Sequence, residues 1–200
     1  LIAGLSSTPA AAKPLRIVAL GDSLTAGLGL EAQTTFPTRL EAALRARGHD
    51  VTIVNAGVSG DTTRNGLARL DWSIDPDADA VIVELGANDA LRGTEPAIAR
   101  EALDAILAHL SERGLPVLLA GMVAPPNLGD AYAAAFNPIY DELAAKYNAI
   151  LYPFFLDGVA GDARFNLKDG IHPNAAGVEI IVERMLPFVE ALIARIDESH

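Results

Sequence analysis

"VALGDSLTAGLGL", residues 18–30, is the stretch on which the reading of this chain turns. An apolar run breaks off at Gly-Asp-Ser, and a helical pattern opens directly behind it. A turn is reason enough for Gly21, and a helix N-cap is reason enough for Asp22 or Ser23. The same geometry would also hold a serine hydroxyl at the tip of a strand, where a nucleophile belongs. What the other segments bring to that tip decides between the two.

Short apolar runs alternate with helical patterns from Pro14 onward. Residues 15–20, 51–55, 80–85, 116–121 and 149–153 read as strands, most of them continuous and β-branched, as in a sheet covered on both faces. Residues 36–48 read as a helix ending at Gly48. Residues 94–114 read as a second, with Thr94 as N-cap, Pro96 in its first turn, Gly114 at its stop, and a core stripe of Ile98, Ala102, Leu103, Ile106, Leu107 and Leu110. Segments 131–147 and 174–195 read as the other long helices. The alternation predicts one α/β domain over residues 14–200 with a five-stranded parallel sheet, most simply in the flavodoxin-like order 2-1-3-4-5.

Composition narrows the function. The 200 residues are 50% hydrophobic, enough for a sizeable core, and the formal charge of −11 argues against nucleic acid or an anionic lipid surface as partner. There is no cysteine, so thiolate catalysis and disulfides are excluded. No stretch approaches the ~18 apolar residues of a membrane span, so stable membrane insertion is not expected. Residues 1–13 resemble a leader or the remnant of a signal peptide, with Ala-x-Ala at 10–12, which predicts a periplasmic or secreted protein.

In a sheet of this kind, ligands sit beyond the carboxyl ends of the strands. The unusual residues fall there: Ser23 after the first strand, Gly60 in "AGVSGDTT" after the second, Asn88 in "GAND" after the third, and Asp169 with His172 in "KDGIHPN" after the last. Each has an ordinary role as cap or turn former. Together they supply what acyl transfer needs. A serine hydroxyl needs an adjacent base, His172 is the candidate, and Asp169 can hold its tautomer. The Ser23 and Gly60 amides and the Asn88 side chain can meet an oxyanion.

The set "GDSL", "SGDTT", "GAND" and "DGIHPN" resembles the SGNH (GDSL) hydrolase family, within it the bacterial thioesterase I/lysophospholipase L1 group with its exported arylesterases. The resemblance runs from about Arg16 to Met185. It implies a three-layer α/β/α sandwich, no cofactor and no metal, catalytic Ser23, Asp169 and His172, and an oxyanion hole of Ser23, Gly60 and Asn88. Ala87 departs from close relatives, which often carry a second glycine there.

Loops 90–96 and 122–132 should border the acyl group, with Leu91, Met122, Val123, Pro125 and Leu128 as substrate-binding residues. These point to aryl or short-to-medium acyl esters, and thioesters or lysophospholipids as further small-molecule substrates. The alternatives are a carbohydrate O-acetyl esterase of the same superfamily and a non-catalytic flavodoxin-like binding module. No G-x-S-x-G, Walker A or HExxH motif is present. Trp72 and the Phe154/Phe155 pair read as core or pocket wall, Asp75 and Asp77 as a solvated turn, and His49, His109 and His200 as exposed surface.

Overall fold

The computed structural model describes residues 13–197; the leader reading, apart from Lys13, and the expectation for His200 lie outside them. Five parallel strands, β1 (Leu15–Gly21), β2 (Val51–Gly57), β3 (Ala80–Glu84), β4 (Val117–Ala120) and β5 (Ile150–Tyr152), pair in the order 2-1-3-4-5. The doubly wound sheet expected from the sequence is therefore present. β1, β3 and β4 are buried along almost their whole length, whereas β2, at the edge, buries only alternate residues, Val51 and Ile53. Apolar area removed from water on both faces is the main source of stability here.

Helices α2 (Phe36–Ala46) and α9 (Ala175–Asp197) pack together on one side of the sheet. α3 (Thr63–Ala68), α6 (Pro96–Glu112) and α8 (Pro138–Tyr147) pack together as the other layer. α2 buries Phe36, Leu40 and Leu44. α6 buries the expected stripe, with Ala99 taking the place of the half-buried Ile98.

Three local expectations need correction. Thr94 does not cap α6. Glu95 holds that position with no side-chain bond, and the Thr94 carbonyl instead accepts the Tyr132 hydroxyl at 2.8 Å. Segment 131–147 is two helices, α7 (Asp130–Phe136) and α8, because Pro138 has no N–H to continue the ladder. The Asn137 amide oxygen at that break accepts the Ala124 N–H. Asp75 and Asp77 are not a free solvated turn: Arg16 pairs with Asp75 and Lys13 with Asp77, while the Arg16 N–H donates to Asp79. These contacts pin the start of β1 to the loop ahead of β3.

Register brings the catalytic candidates together. Gly21, the last residue of β1, pairs with Gly57 of β2 on one side and with Glu84 of β3 on the other. The loops leaving all three strands therefore start side by side.

Candidate active site

Ser23 opens the short helix α1 (Ser23–Ala26). Its N-cap is Asp22, whose Oδ1 accepts the Leu24 N–H at 2.9 Å, so the capping role open to Ser23 in the sequence belongs to its neighbour. Such a cap contributes about 1 kcal/mol. It also releases the serine hydroxyl, which lies 2.9 Å from His172 Nε2.

His172 stands on the loop ahead of α9. That loop is fixed by a β-bridge between Asn166 and Pro173, by the Leu167 N–H donating to the His172 carbonyl, and by Asn174, whose side chain accepts the Gly177 N–H. Asp169 Oδ1 accepts the N–H groups of Ile171 and His172 at 2.9 and 3.0 Å, and Oδ2 lies 2.7 Å from His172 Nδ1. Those backbone donors, with the ring, hold the Asp169 carboxyl down at about 2. An ionised Asp169 requires a proton on Nδ1. Nε2 is then an acceptor, and the Ser23 hydroxyl donates to it.

The facing side is built from polar contacts of graded burial. Asn88 lies in the first turn of α5 (Ala87–Leu91), and its Nδ2 donates to Asp22 Oδ2 at 2.9 Å. One amide N–H is thereby held, which fixes the direction of the other. Gly60 has φ +88°, and the space where its Cβ would stand is nearly open, so the left-handed backbone is what demands glycine there. Arg92 donates to the Gly60 carbonyl at 2.9 Å.

Buried Asp89 accepts both the N–H and the hydroxyl of Thr63 at 2.8 Å, tying the Gly60 loop to α5. Buried Arg69 reaches Asp61 and the Gly21 carbonyl, at 2.6 and 2.9 Å. Asp22, fully buried, is pushed up to about 6 by burial, against the pull of its Leu24 and Asn88 donors.

Ser23, Asp169, His172, Gly60 and Asn88 thus meet at one edge of the sheet. The expected acyl-binding set divides. Leu91 and Val123 are 52% and 47% exposed, and Pro125 and Leu128 are half-buried. Met122 is only 4% exposed and belongs to the core: after β4 the side chains alternate, Met122 and Ala124 inward and Val123 outward. The crevice that adjoins both Ser23 and His172 lies elsewhere, walled by Leu28, Leu30, Phe36, Val178 and Ile181. It is too narrow for a water-sized sphere.

Trp72 is 77% exposed, not core or pocket wall; it sits on a single turn, α4 (Leu70–Ser73), on the surface. Phe155 is core, and Phe154 borders an apolar groove away from Ser23. His49 and His109 are partly exposed, beside Glu190 and Asp71. Among the described residues, the cavity of about 460 Å³ near the start of β4 holds no histidine beside its Ser111. Among the described residues no cluster of His, Asp or Glu could hold a metal. No described helix is long and apolar enough to cross a membrane.

The sequence reading missed the Asp22–Asn88 bond, the buried Arg69 and Glu84, and the crevice wall. Asp22 lies inside the quoted stretch; only its partner could not be read there.

Residues 19–180 match the GDSL-like lipase/acylhydrolase family. The chain belongs to that family. It is 39% identical over 190 residues to an esterase, TesA, of Pseudomonas aeruginosa, covering 94% of each chain. It is 36% identical to the thioesterase 1/protease 1/lysophospholipase L1 of Escherichia coli K12 over 190 residues, 94% of this chain and 89% of that one. Among solved structures it resembles AlinE4, an SGNH-hydrolase family esterase, with TM-score 0.77, 47% identity, and coverage of 91% of this chain and 98% of that one. The resemblance read from the sequence, the fold and the enzyme class, a carboxylic ester hydrolase, agree with these relatives. They do not favour the binding module or the O-acetyl esterase.

Proposed function

We propose that this protein hydrolyses carboxylic esters through an acyl-enzyme on Ser23. The observation that carries the reading is the continuous hydrogen-bonded chain from Ser23 Oγ through the His172 ring to Asp169. His172 Nε2 takes the hydroxyl proton as Oγ attacks the carbonyl carbon, and Asp169 stabilises the imidazolium that forms. The tetrahedral oxyanion is met by the Ser23 and Gly60 N–H groups and the remaining Asn88 N–H. The imidazolium then protonates the leaving oxygen or sulfur, and a water activated by the same ring releases the acid.

Five exposed large apolar side chains, Leu28, Val58, Leu91, Val123 and Ile171, stand on the segments that follow β1 to β4 or adjoin His172, which supports an apolar acyl or aryl substrate. Oxygen and sulfur esters pass through the same oxyanion, so thioesters and lysophospholipids belong to the same reading. Leu91, Val123, Pro125 and Leu128 would border one side of the acyl group, and the Leu28–Ile181 crevice the other if its walls part. Periplasmic or secreted placement rests on the composition of residues 1–13, and cell fractionation tests it.

The deciding experiment is Ser23→Ala assayed on p-nitrophenyl acetate and butyrate, beside a panel of aryl esters, acyl-CoA and lysophospholipid. Loss of at least about a thousandfold in kcat with an unchanged fold is expected. Undiminished turnover would remove the assignment.

A further inference from the structure

Glu84, the last residue of β3, is fully buried and lies against the nucleophile turn. Its Oε2 accepts the Thr25 hydroxyl at 2.7 Å and the Asp22 N–H at 3.3 Å. Its Oε1 is buried and has no hydrogen-bond partner. A Cβ on Gly21 would fall 2.6 Å from Oε2 and 2.1 Å from the Thr25 hydroxyl, so glycine at 21 is what admits this carboxyl. The Asp22 carboxyl, on the neighbouring strand end, is held instead by the Leu24 N–H and the Asn88 amide.

With both carboxyls buried and the Asp22 N–H itself 3.3 Å from Glu84 Oε2, ionising both is strongly disfavoured, and their hydrogen bonds say which one ionises. Each Asp22 oxygen accepts an N–H, which suits a carboxylate. Glu84 leaves one oxygen unsatisfied, a far heavier cost for a buried anion than for a neutral acid.

We propose that Glu84 is a positioning residue that works as a neutral carboxylic acid, leaving the pair's single negative charge on Asp22, where it aligns the Asn88 amide with Ser23. This rests on the ester-hydrolase reading of the site. Besides Glu84, the ionisable groups facing Asp22 are His172, Asp61, the latter paired with Arg69, and the buried Tyr140 of α8. Glu84 faces Asp22 and, across the core, the buried Tyr140 of α8. Burial first, then the Asp22 charge, holds Glu84 well above the ordinary 4.5.

The test needs no variant at first. At pH 8 the other carboxyls are ionised, so the wild-type infrared spectrum should retain the carbonyl band of one protonated carboxylic acid, and Glu84→Gln should lose it. Absence of the band in the wild type overturns the proposal. Glu84→Gln keeps the shape and cannot ionise. A raised pKa makes wild-type stability greatest below 4.5 and erodes it as pH rises. The melting temperature of Glu84→Gln minus that of wild type should therefore grow by several degrees from pH 5 to pH 8. The acid limb of kcat should stay in place.

A flat difference, or an acid limb moved to lower pH by removal of a like charge, overturns the proposal. Asp22→Asn should lower kcat by about 10- to 100-fold with KM within about twofold, since only the alignment of one oxyanion donor is disturbed. An unchanged kcat there, with Ser23→Ala inactive, sinks this inference alone. Activity in Ser23→Ala sinks the reading beneath it.

Discussion

Asp169 and Asp22 stand on opposite sides of Ser23, and the two sides are built by different physics. Asp169 lies on an exposed loop and owes its behaviour to donors: two backbone N–H groups and an imidazole hold its carboxyl at about 2. Asp22 is fully buried, and burial outweighs its two donors, the Leu24 N–H and the Asn88 amide, lifting it to about 6. The exposed carboxylate can follow the charge on His172 through the reaction at little cost, because water screens it. The buried one cannot relax, so it serves as a fixed orienting charge. In the mechanism proposed above, the site would combine an adaptable acid–base arm with a rigid oxyanion wall, and preorganisation of the rigid part is where electrostatic catalysis gains most.

That contrast can be broken from either side. The largest effect is expected on the exposed arm: Asp169→Asn should lower kcat by about 10³- to 10⁴-fold, because an amide facing Nδ1 favours the tautomer whose Nε2 carries the proton. Melting temperature near pH 7 should change little, since Asp169 is exposed. A mild loss of kcat would show that the backbone alone orients the ring. On the rigid wall, Asn88→Ala should cost about 10²- to 10³-fold in kcat with little change in KM, the signature of an interaction made mainly in the transition state. A KM effect with kcat intact would move Asn88 from the oxyanion to ground-state binding.

The difference between the two sides also explains what could be read in advance. The sheet order followed from apolar runs alternating with helical stripes, and β1, β3 and α6 formed close to the expected limits because burial on both faces writes a continuous pattern. Ser23, Gly60, Asn88, Asp169 and His172 were legible because each follows a strand and topology sends all of those ends to one edge. The staples were not. Asp22 and Asn88 are 66 positions apart, and Asp89 and Thr63 are 26 apart. Nothing in either segment states that the two side chains meet. Met122 misled for the opposite reason: an apolar residue after a strand reads as pocket lining, and only the path of the chain leaves it in the core. Glu84, ending the apolar run of β3, carried the one available warning, since a charged residue there has to be explained.

The smallest expected effect is the most direct test of the two environments, because it asks only how stability follows pH. The Asp22 carboxyl is raised from 3.8 to about 6 on folding, so its contribution is fully present below 3.8 and is lost as pH rises through about 6. Asp22→Asn has no such loss, and its melting temperature should gain a few degrees on wild type between pH 4 and pH 6, whatever the offset from the broken Asn88 bond. Asp169 is lowered from 3.8 to about 2, so its contribution is present above 3.8 and is lost as pH falls through about 2. Asp169→Asn should therefore lie slightly below wild type at pH 5 and meet it near pH 2. Opposite slopes from two aspartates flanking one serine would separate burial from hydrogen bonding as their controlling terms. Parallel slopes would mean that both carboxyls see the same environment, and the rigid wall would lose its fixed charge.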